Sequence, residues 1–188
     1  MKHLLIPVLL SFGVAASAAD TYSIDPTHTH ATFSFQHLGF STFHGKIPSQ
    51  RGTISLDREK KTGEVDVVFD LAALTTGVKK FDDHLRSKDF FAVETHPTAT
   101  FKASKITFKG DVPASVTGDL TIKGISKPVT LQVTSFHCGQ HPMLKVPACG
   151  ANASATINRS DFGLTYALPA VKDQITLDIE VEAAREQE

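Results

Sequence analysis

The stretch Gln174-Ile175-Thr176-Leu177-Asp178-Ile179-Glu180-Val181-Glu182 places Ile, Leu, Ile and Val at the odd positions and a polar residue at every even one. Successive side chains of an extended chain point to opposite faces, so this rhythm puts one face in an apolar interior and the other in water. The same rhythm recurs along the chain. Val129, Leu131 and Val133 alternate with Thr130, Gln132 and Thr134, and Val116, Gly118, Leu120 and Ile122 with Ser115, Thr117, Asp119 and Thr121. Ala151, Ala153, Ala155 and Ile157 follow it, as do Ala99, Phe101 and Ala103, then Val65, Val67 and Phe69, and finally Ala31, Phe33, Phe35 and His37. Seven or eight such strands, separated by turn residues, predict an all-β protein built as a mostly antiparallel sandwich or barrel. One helix interrupts them. Val78, Phe81 and Leu85 stand at helical spacing after Thr76, the expected N-cap, in a segment running to about Lys88. A single short helix can rim or plug a barrel but cannot cover both faces of a parallel sheet.

An eight-stranded barrel is about wide enough either to be filled by its own side chains or to hold one small ligand. Six of the inward positions, Ala31, Ala99, Ala103, Ala151, Ala153 and Ala155, carry only a methyl group. Interiors pack densely and dry voids cost stability, so small residues on an inner wall imply an occupied cavity or a closely docked helix. The 13 phenylalanines are numerous enough to fill the same space. Alternation leaves both fillings open.

The chain begins with Lys2 and His3, an apolar run from Leu4 to Val14, and the small residues Ala15-Ala16-Ser17-Ala18-Ala19. This is the pattern of a secretory signal peptide over residues 1–19, with residues 20–188 as one exported domain. The apolar run falls short of the roughly 20 residues that a spanning helix needs. Lys and Arg number 19 against 20 Asp and Glu, and loss of the leader removes only Lys2. A nearly neutral surface argues against nucleic acid as a partner and offers no polybasic patch to lipid headgroups. A lipid partner would have to be enclosed.

Cys138 and Cys149 are the only cysteines, in a turn-rich segment expected to be a long hairpin loop. In an exported protein they favour a disulfide, contributing about 2–3 kcal/mol by restricting the unfolded chain. The competing reading is a zinc set of His137, Cys138, His141 and Cys149, although adjacent His137 and Cys138 are poorly placed to point at one ion. His28 and His30, two apart, could share a strand face and bind a metal. No metal is expected at either place. The chain lacks a Gly-x-Ser-x-Gly elbow, a phosphate loop, a dinucleotide fingerprint and a His-Glu-x-x-His helix, so no catalytic residues are assigned and no enzyme is expected. Asp82, Asp83 and Asp89, beside Lys79, Lys80 and Arg86, read as a solvated, ion-paired surface, with Arg86 and Asp83 alternatively tying the helix to the barrel mouth.

Several stretches resemble a known family. Tyr22-Ser23-Ile24-Asp25-Pro26 with His28, Phe33-Ser34-Phe35-Gln36-His37-Leu38-Gly39, and Asp83-His84-Leu85-Arg86-Ser87 with Asp89-Phe90-Phe91 and His96-Pro97 resemble YceI proteins. So do Gly118-Asp119-Leu120-Thr121-Ile122 with Gly124 and Pro128-Val129, and the late Arg159-Ser160-Asp161-Phe162-Gly163. Tyr22 stands where many members carry Trp. The resemblance implies a lipocalin-like antiparallel eight-stranded barrel with one short helix at its mouth. It also implies a periplasmic protein that holds a long-chain isoprenoid lipid or isoprenoid quinone in an apolar tunnel, for transport, storage or sequestration. The alternative is a stress or redox accessory that presents bound quinone to a membrane cytochrome; a homodimer is left open. No covalent cofactor is expected. The expected lining is Phe33, Phe35, Phe69, Phe101, Leu120 and Ile122 from the strands and Phe81 and Leu85 from the helix, with His37 or His84 as a hydrogen-bond donor to a headgroup. Titration of the oxidised protein without reductant should find no free thiol; two reactive thiols would show that Cys138 and Cys149 are not bridged.

Overall fold

The computed structural model describes residues 19–186, so the expected signal peptide lies outside the described residues except for Ala19. The strands are β1 (Asp20–Ile24), β2 (His30–His37), β3 (Ser41–Asp57), β4 (Thr62–Asp70), β5 (Thr98–Lys109), β6 (Val112–Ile122), β7 (Ile125–Gln140), β8 (Pro147–Asn158) and β9 (Gln174–Arg185). Helix α1 (Lys79–Arg86) lies between β4 and β5, and a 3-10 turn (Arg159–Phe162) follows β8. From β3 the ladder runs through β2, β9, β8, β7, β6, β5 and β4 and returns to β3, every pair antiparallel. This is the expected eight-stranded barrel.

Nine strand segments make eight barrel strands because the first strand is broken. β1 pairs with the end of β3 (Ser23 opposite Thr53) and of β9 (Ile24 opposite Ala183). β2 continues the same line against the start of β3 and the middle of β9 (His30 opposite Pro48 and Glu180). The break is held by the Asp25 carboxylate, which accepts from the Thr27 hydroxyl at 2.7 Å and the Thr27 N–H at 2.8 Å and lies 2.7 Å from His28 Nδ1. The hydroxyl and imidazole bonds favour the charged carboxylate and hold it at about 2. His28 therefore belongs to a turn, and His30 opens the next strand facing Glu180 at 3.4 Å. The shared strand face that a regular strand would give His28 and His30 does not form.

β3, the longest strand, is, with the short β1, one that alternation did not reveal. A register shift at Gln50 divides it. Phe43, Gly45, Ile47 and Ser49 share one phase before the shift, whereas Ile54 and Leu56 share the opposite phase after it. Similar shifts near Ser104 and Thr134 explain why Ala103 and Ile106 both turn inward, and why Val133 and Phe136 both line the interior.

The cysteine segment also differs from expectation. β7 and β8 run through it, and Cys138 and Cys149 are direct cross-strand partners, bridged with Cα atoms 4.1 Å apart. Only residues 141–146 form the connection. Helix α1 is shorter than its pattern, beginning at Lys79 after Val78. Thr76 is not the cap, because its N–H and hydroxyl both donate to Asp82 Oδ1 at 2.6 Å and Gly77, at φ +79°, turns the chain before the helix starts. The 3-10 turn at Arg159–Phe162 had no periodic signal.

Strand packing constrains single positions closely. Gly45 stands opposite Phe33, and a Cβ there would come within 2.2 Å of Phe33 Cζ. Phe33 is buried, so its ring would have to shift towards the interior to make room. Gly45→Ala should lower stability by about 1–3 kcal/mol, the usual cost of overpacking. Adding Phe33→Leu should return part of that loss in a double-mutant cycle followed by denaturant unfolding.

Candidate functional site

The inward residues of the barrel are of two kinds. Phe33, Ile47, Val67, Phe69, Phe101, Leu120 and Ile122 are buried. Others all round the ring, among them Phe35, Ile54, Val65 and Val116 as well as Leu131, Ala151, Leu177 and Ile179, are only half-buried although they face inward. They look onto open space. A cavity of about 410 Å³ lies against them, within the range of small-molecule sites, and carbon atoms make nearly all of its exposed wall. The space comes from small side chains. Ala31, Ala99, Ala151 and Ala153 stand on its wall, while Ala103 is instead packed against Gly118 and Ala155 lies in the surrounding core.

All nine residues expected to line the tunnel, Phe33, Phe35, His37, Phe69, Phe81, Leu85, Phe101, Leu120 and Ile122, stand on this wall. Residues that sequence reasoning did not name as lining share it: Thr29, Leu71, Phe91, Arg159, Leu164, Tyr166 and Val171, together with the inner faces of β7 to β9. The alternation at Val129–Val133 and Ile175–Val181 already carried the signal for those faces. The loop residues had none.

Exposure locates the mouth. Among the wall residues only His37, Tyr166 and Ala167 are themselves exposed. They stand at the end of the barrel where the β2–β3 hairpin, α1 and the β8–β9 connection meet. α1 offers Phe81, His84 and Leu85 to the bore, neighbours on one helix face at spacings of three and four. Phe81 packs edge-on to Phe43 of the hairpin at 4.9 Å, with Phe35 at 6.5 Å. His84 packs edge-on to Tyr166 at 4.8 Å and to Phe90 at 5.0 Å. The helix thus joins the two sides of the rim through aromatic contacts.

Two buried charges shape this rim, and neither was expected. Arg159 is 5% exposed. Its Nε donates to the Lys172 carbonyl at 3.1 Å, Nη1 to those of Leu164 and Tyr166 at 2.6 and 2.8 Å, and Nη2 to Val171 at 3.1 Å. Burial pushes its pKa down and the Asp173 charge opposes that shift. Asp173 itself accepts from Ser160 N–H and Oγ at 2.8 and 2.6 Å. The guanidinium therefore ties the loop that presents Leu164, Tyr166 and Val171 to the bore. Asp82, only 7% exposed, belongs to no solvated acidic surface. Besides Thr76 it accepts from the Thr75 hydroxyl at 3.2 Å, and Thr75 closes a backbone bridge with Lys46. Burial raises its pKa, but the Thr76 and Thr75 bonds outweigh that and hold it low. Arg86 completes the attachment by donating to the carbonyls of Ala72 at 2.8 Å and Leu74 at 2.6 Å; its contact with exposed Asp83 is longer, at 3.4 Å.

Among the described residues no group of three or more His, Cys, Asp or Glu is arranged to hold a metal ion, and both cysteines of the zinc alternative are bonded to each other. No described helix is long and apolar enough to cross a membrane.

The profile of the YceI-like domain matches residues 22–183. This chain belongs to the YceI family. A UPF0312 protein of Pseudomonas putida is 36% identical over 181 residues, covering 95% of this chain and 92% of its own. Among solved structures, Burkholderia cenocepacia BcnA superposes with a TM-score of 0.70 at 24% identity, covering 86% of this chain and 99% of BcnA. A polyisoprenoid binding domain from Saccharophagus degradans, implicated in plant cell wall breakdown, superposes with a TM-score of 0.62 at 14% identity, covering 90% of this chain and all of that one. At these identities the two structural likenesses establish the fold of this YceI protein.

Asp82→Asn should cost about 1–3 kcal/mol, because an amide cannot accept all three Thr75 and Thr76 bonds as a carboxylate does. A carboxyl held low contributes stability above its unfolded pKa of about 4 and loses that contribution as pH falls further. The variant should therefore be less acid-sensitive than the parent below about pH 4. Chemical unfolding across that range, with hydrogen exchange at the Thr76 amide, checks both effects.

Proposed function

We propose that this protein holds a long-chain isoprenoid lipid, an isoprenoid quinone or related polyprenyl compound, in its bore and performs no chemistry on it. The observation that carries the reading is a roomy cavity with a carbon wall, enclosed by residues from β2 through β9. An apolar chain moved from water into such a space gains about 0.8 kcal/mol for each buried CH₂. The family assignment supports the same ligand class, as does the printed description of the Saccharophagus domain as polyisoprenoid binding. The leader-like residues at the start of the sequence support a periplasmic site of action.

A carbon wall suits holding better than reacting. The Thr29 hydroxyl, on the wall, is already engaged with the backbone of Glu182, and the Arg159 donors with loop carbonyls. Transport is favoured over simple storage by the surface around the mouth. Leu38 and Phe40, at the hairpin tip beside His37, are exposed, Phe40 by 88%. Exposed large apolar side chains in that position suit delivery to an apolar acceptor.

Organic extraction of protein purified from its native compartment should release a prenyl lipid detectable by mass, and emptied protein should take up added quinone. An extract free of lipid, together with no uptake, would reject the reading.

A further inference from the structure

We infer that this protein docks on a lipid bilayer by the tip of its β2–β3 hairpin, which enters the headgroup layer and sets the mouth against the membrane. The inference rests on the transport reading for its purpose, although docking itself needs no cargo. The tip has a feature that folding does not explain. His37 to Phe40 form a tight turn in which the Phe40 N–H donates to the His37 carbonyl at 3.0 Å, with Leu38 at φ +51° and Gly39 at φ +79°. Hairpin turns with both central residues at positive φ favour Asn, Asp or Gly at the first of them, because larger side chains strain a left-handed backbone. Leucine stands there instead, 51% exposed, and Phe40 follows at 88%. Both side chains face water and add nothing to the core, and the leucine works against its own turn. An apolar surround recovers both losses.

Charge around the tip suits a bilayer. Between Asp25 and Asp57 the chain has no Asp or Glu, whereas Lys46 and Arg51 are cationic. The near-balance of the whole chain conceals this local excess. The segment leading into α1, bridged to β3 through Lys46 and Thr75, adds exposed Val78, Lys79 and Lys80 beside the hairpin. Tyr166 brings an exposed ring with a polar tip to the same rim. The exposed carboxylates of the helix segment, Asp83 and Asp89, face Lys79 at 2.7 Å and His84 at 3.4 Å. Asp161 stands in the turn after β8, which β9 separates from β2. An apolar wedge without carboxylates, flanked by lysine, enters an anionic headgroup layer without repulsion. A fluid layer needs no matching pocket for such a narrow tip, whereas a protein acceptor would have to supply one.

The chain contains no tryptophan, so a single one can report on either end of the barrel. Phe40→Trp marks the tip, and Met143→Trp marks the exposed β7–β8 turn at the opposite end. Each purified protein is mixed at pH 8, where histidine is largely neutral, with vesicles of phosphatidylcholine and phosphatidylglycerol free of prenyl lipid. The Phe40→Trp indole should shift its emission to the blue and be quenched by bromine-labelled acyl chains, while the Met143→Trp indole should do neither. Phe40→Ser should lower vesicle binding in flotation at least about tenfold, the loss expected for one buried aromatic side chain. Leu38→Asn should keep or raise the thermal midpoint and yet bind vesicles about fivefold more weakly. An unshifted indole at position 40, an equal shift at position 143, or flotation unchanged by both tip substitutions would overturn bilayer docking and leave the tip to a protein acceptor. Quinone uptake is measured separately: its absence beside a clear shift at position 40 would reject the isoprenoid reading and leave docking standing.

Discussion

The structure depends on one strand pairing along both of its flanks. β3 carries the broken β1–β2 strand on one side and β4 on the other, and that double engagement turns a sheet into a closed ladder. Closure satisfies the backbone groups that an open sheet would leave at its edges, so the interior can be apolar throughout. It also makes the ends the ready route between bore and solvent. At one end the segment between β4 and β5 folds over the opening, fixed to β3 by the Lys46–Thr75 bridge and to itself by Asp82 and Arg86.

The cavity follows from how side-chain bulk is distributed around the ring. Phenylalanine and leucine stand on inner faces of β2 to β6, whereas β8 supplies alanine at successive inward positions, Ala151, Ala153 and Ala155. The space left between them is walled by residues from β2 through β9. Polar groups near it are restrained by bonds to the protein. A bare buried guanidinium would be costly, and four carbonyl acceptors for Arg159 are what make its burial tolerable.

Much of this was legible in the sequence because period-two alternation is a local signal and a barrel wall repeats it. The strands of residues 174–182, 129–134, 115–122 and 151–158 could be read with the correct face inward, and the nine residues chosen as tunnel lining stand on the cavity wall. What escaped were features that break the period or lack one. β3 was hidden because Gln50 reverses its phase and two of its inward residues are Gly45 and Ser49. The β7–β8 hairpin looked like a loop because its cysteines stand among glycine and proline, yet the ladder continues through them. Asp82 looked like an ordinary surface charge, and Arg159 stood only within a stretch of family resemblance. Their burial depends on residues far along the fold, and no spacing rule records it.

The pairing of the first strand with the last has a kinetic meaning. Tyr22 lies opposite Arg185 and Ala31 opposite Ile179, contacts that join the two ends of the described residues. Loops of that length are closed late, and folds dominated by them form slowly. A chain without β9 can build the hairpins from β3 to β8 but has no wall between β8 and β2. β9 is therefore the strand that shuts the compartment, and a copy in which it has not yet docked is an open sheet with no inside.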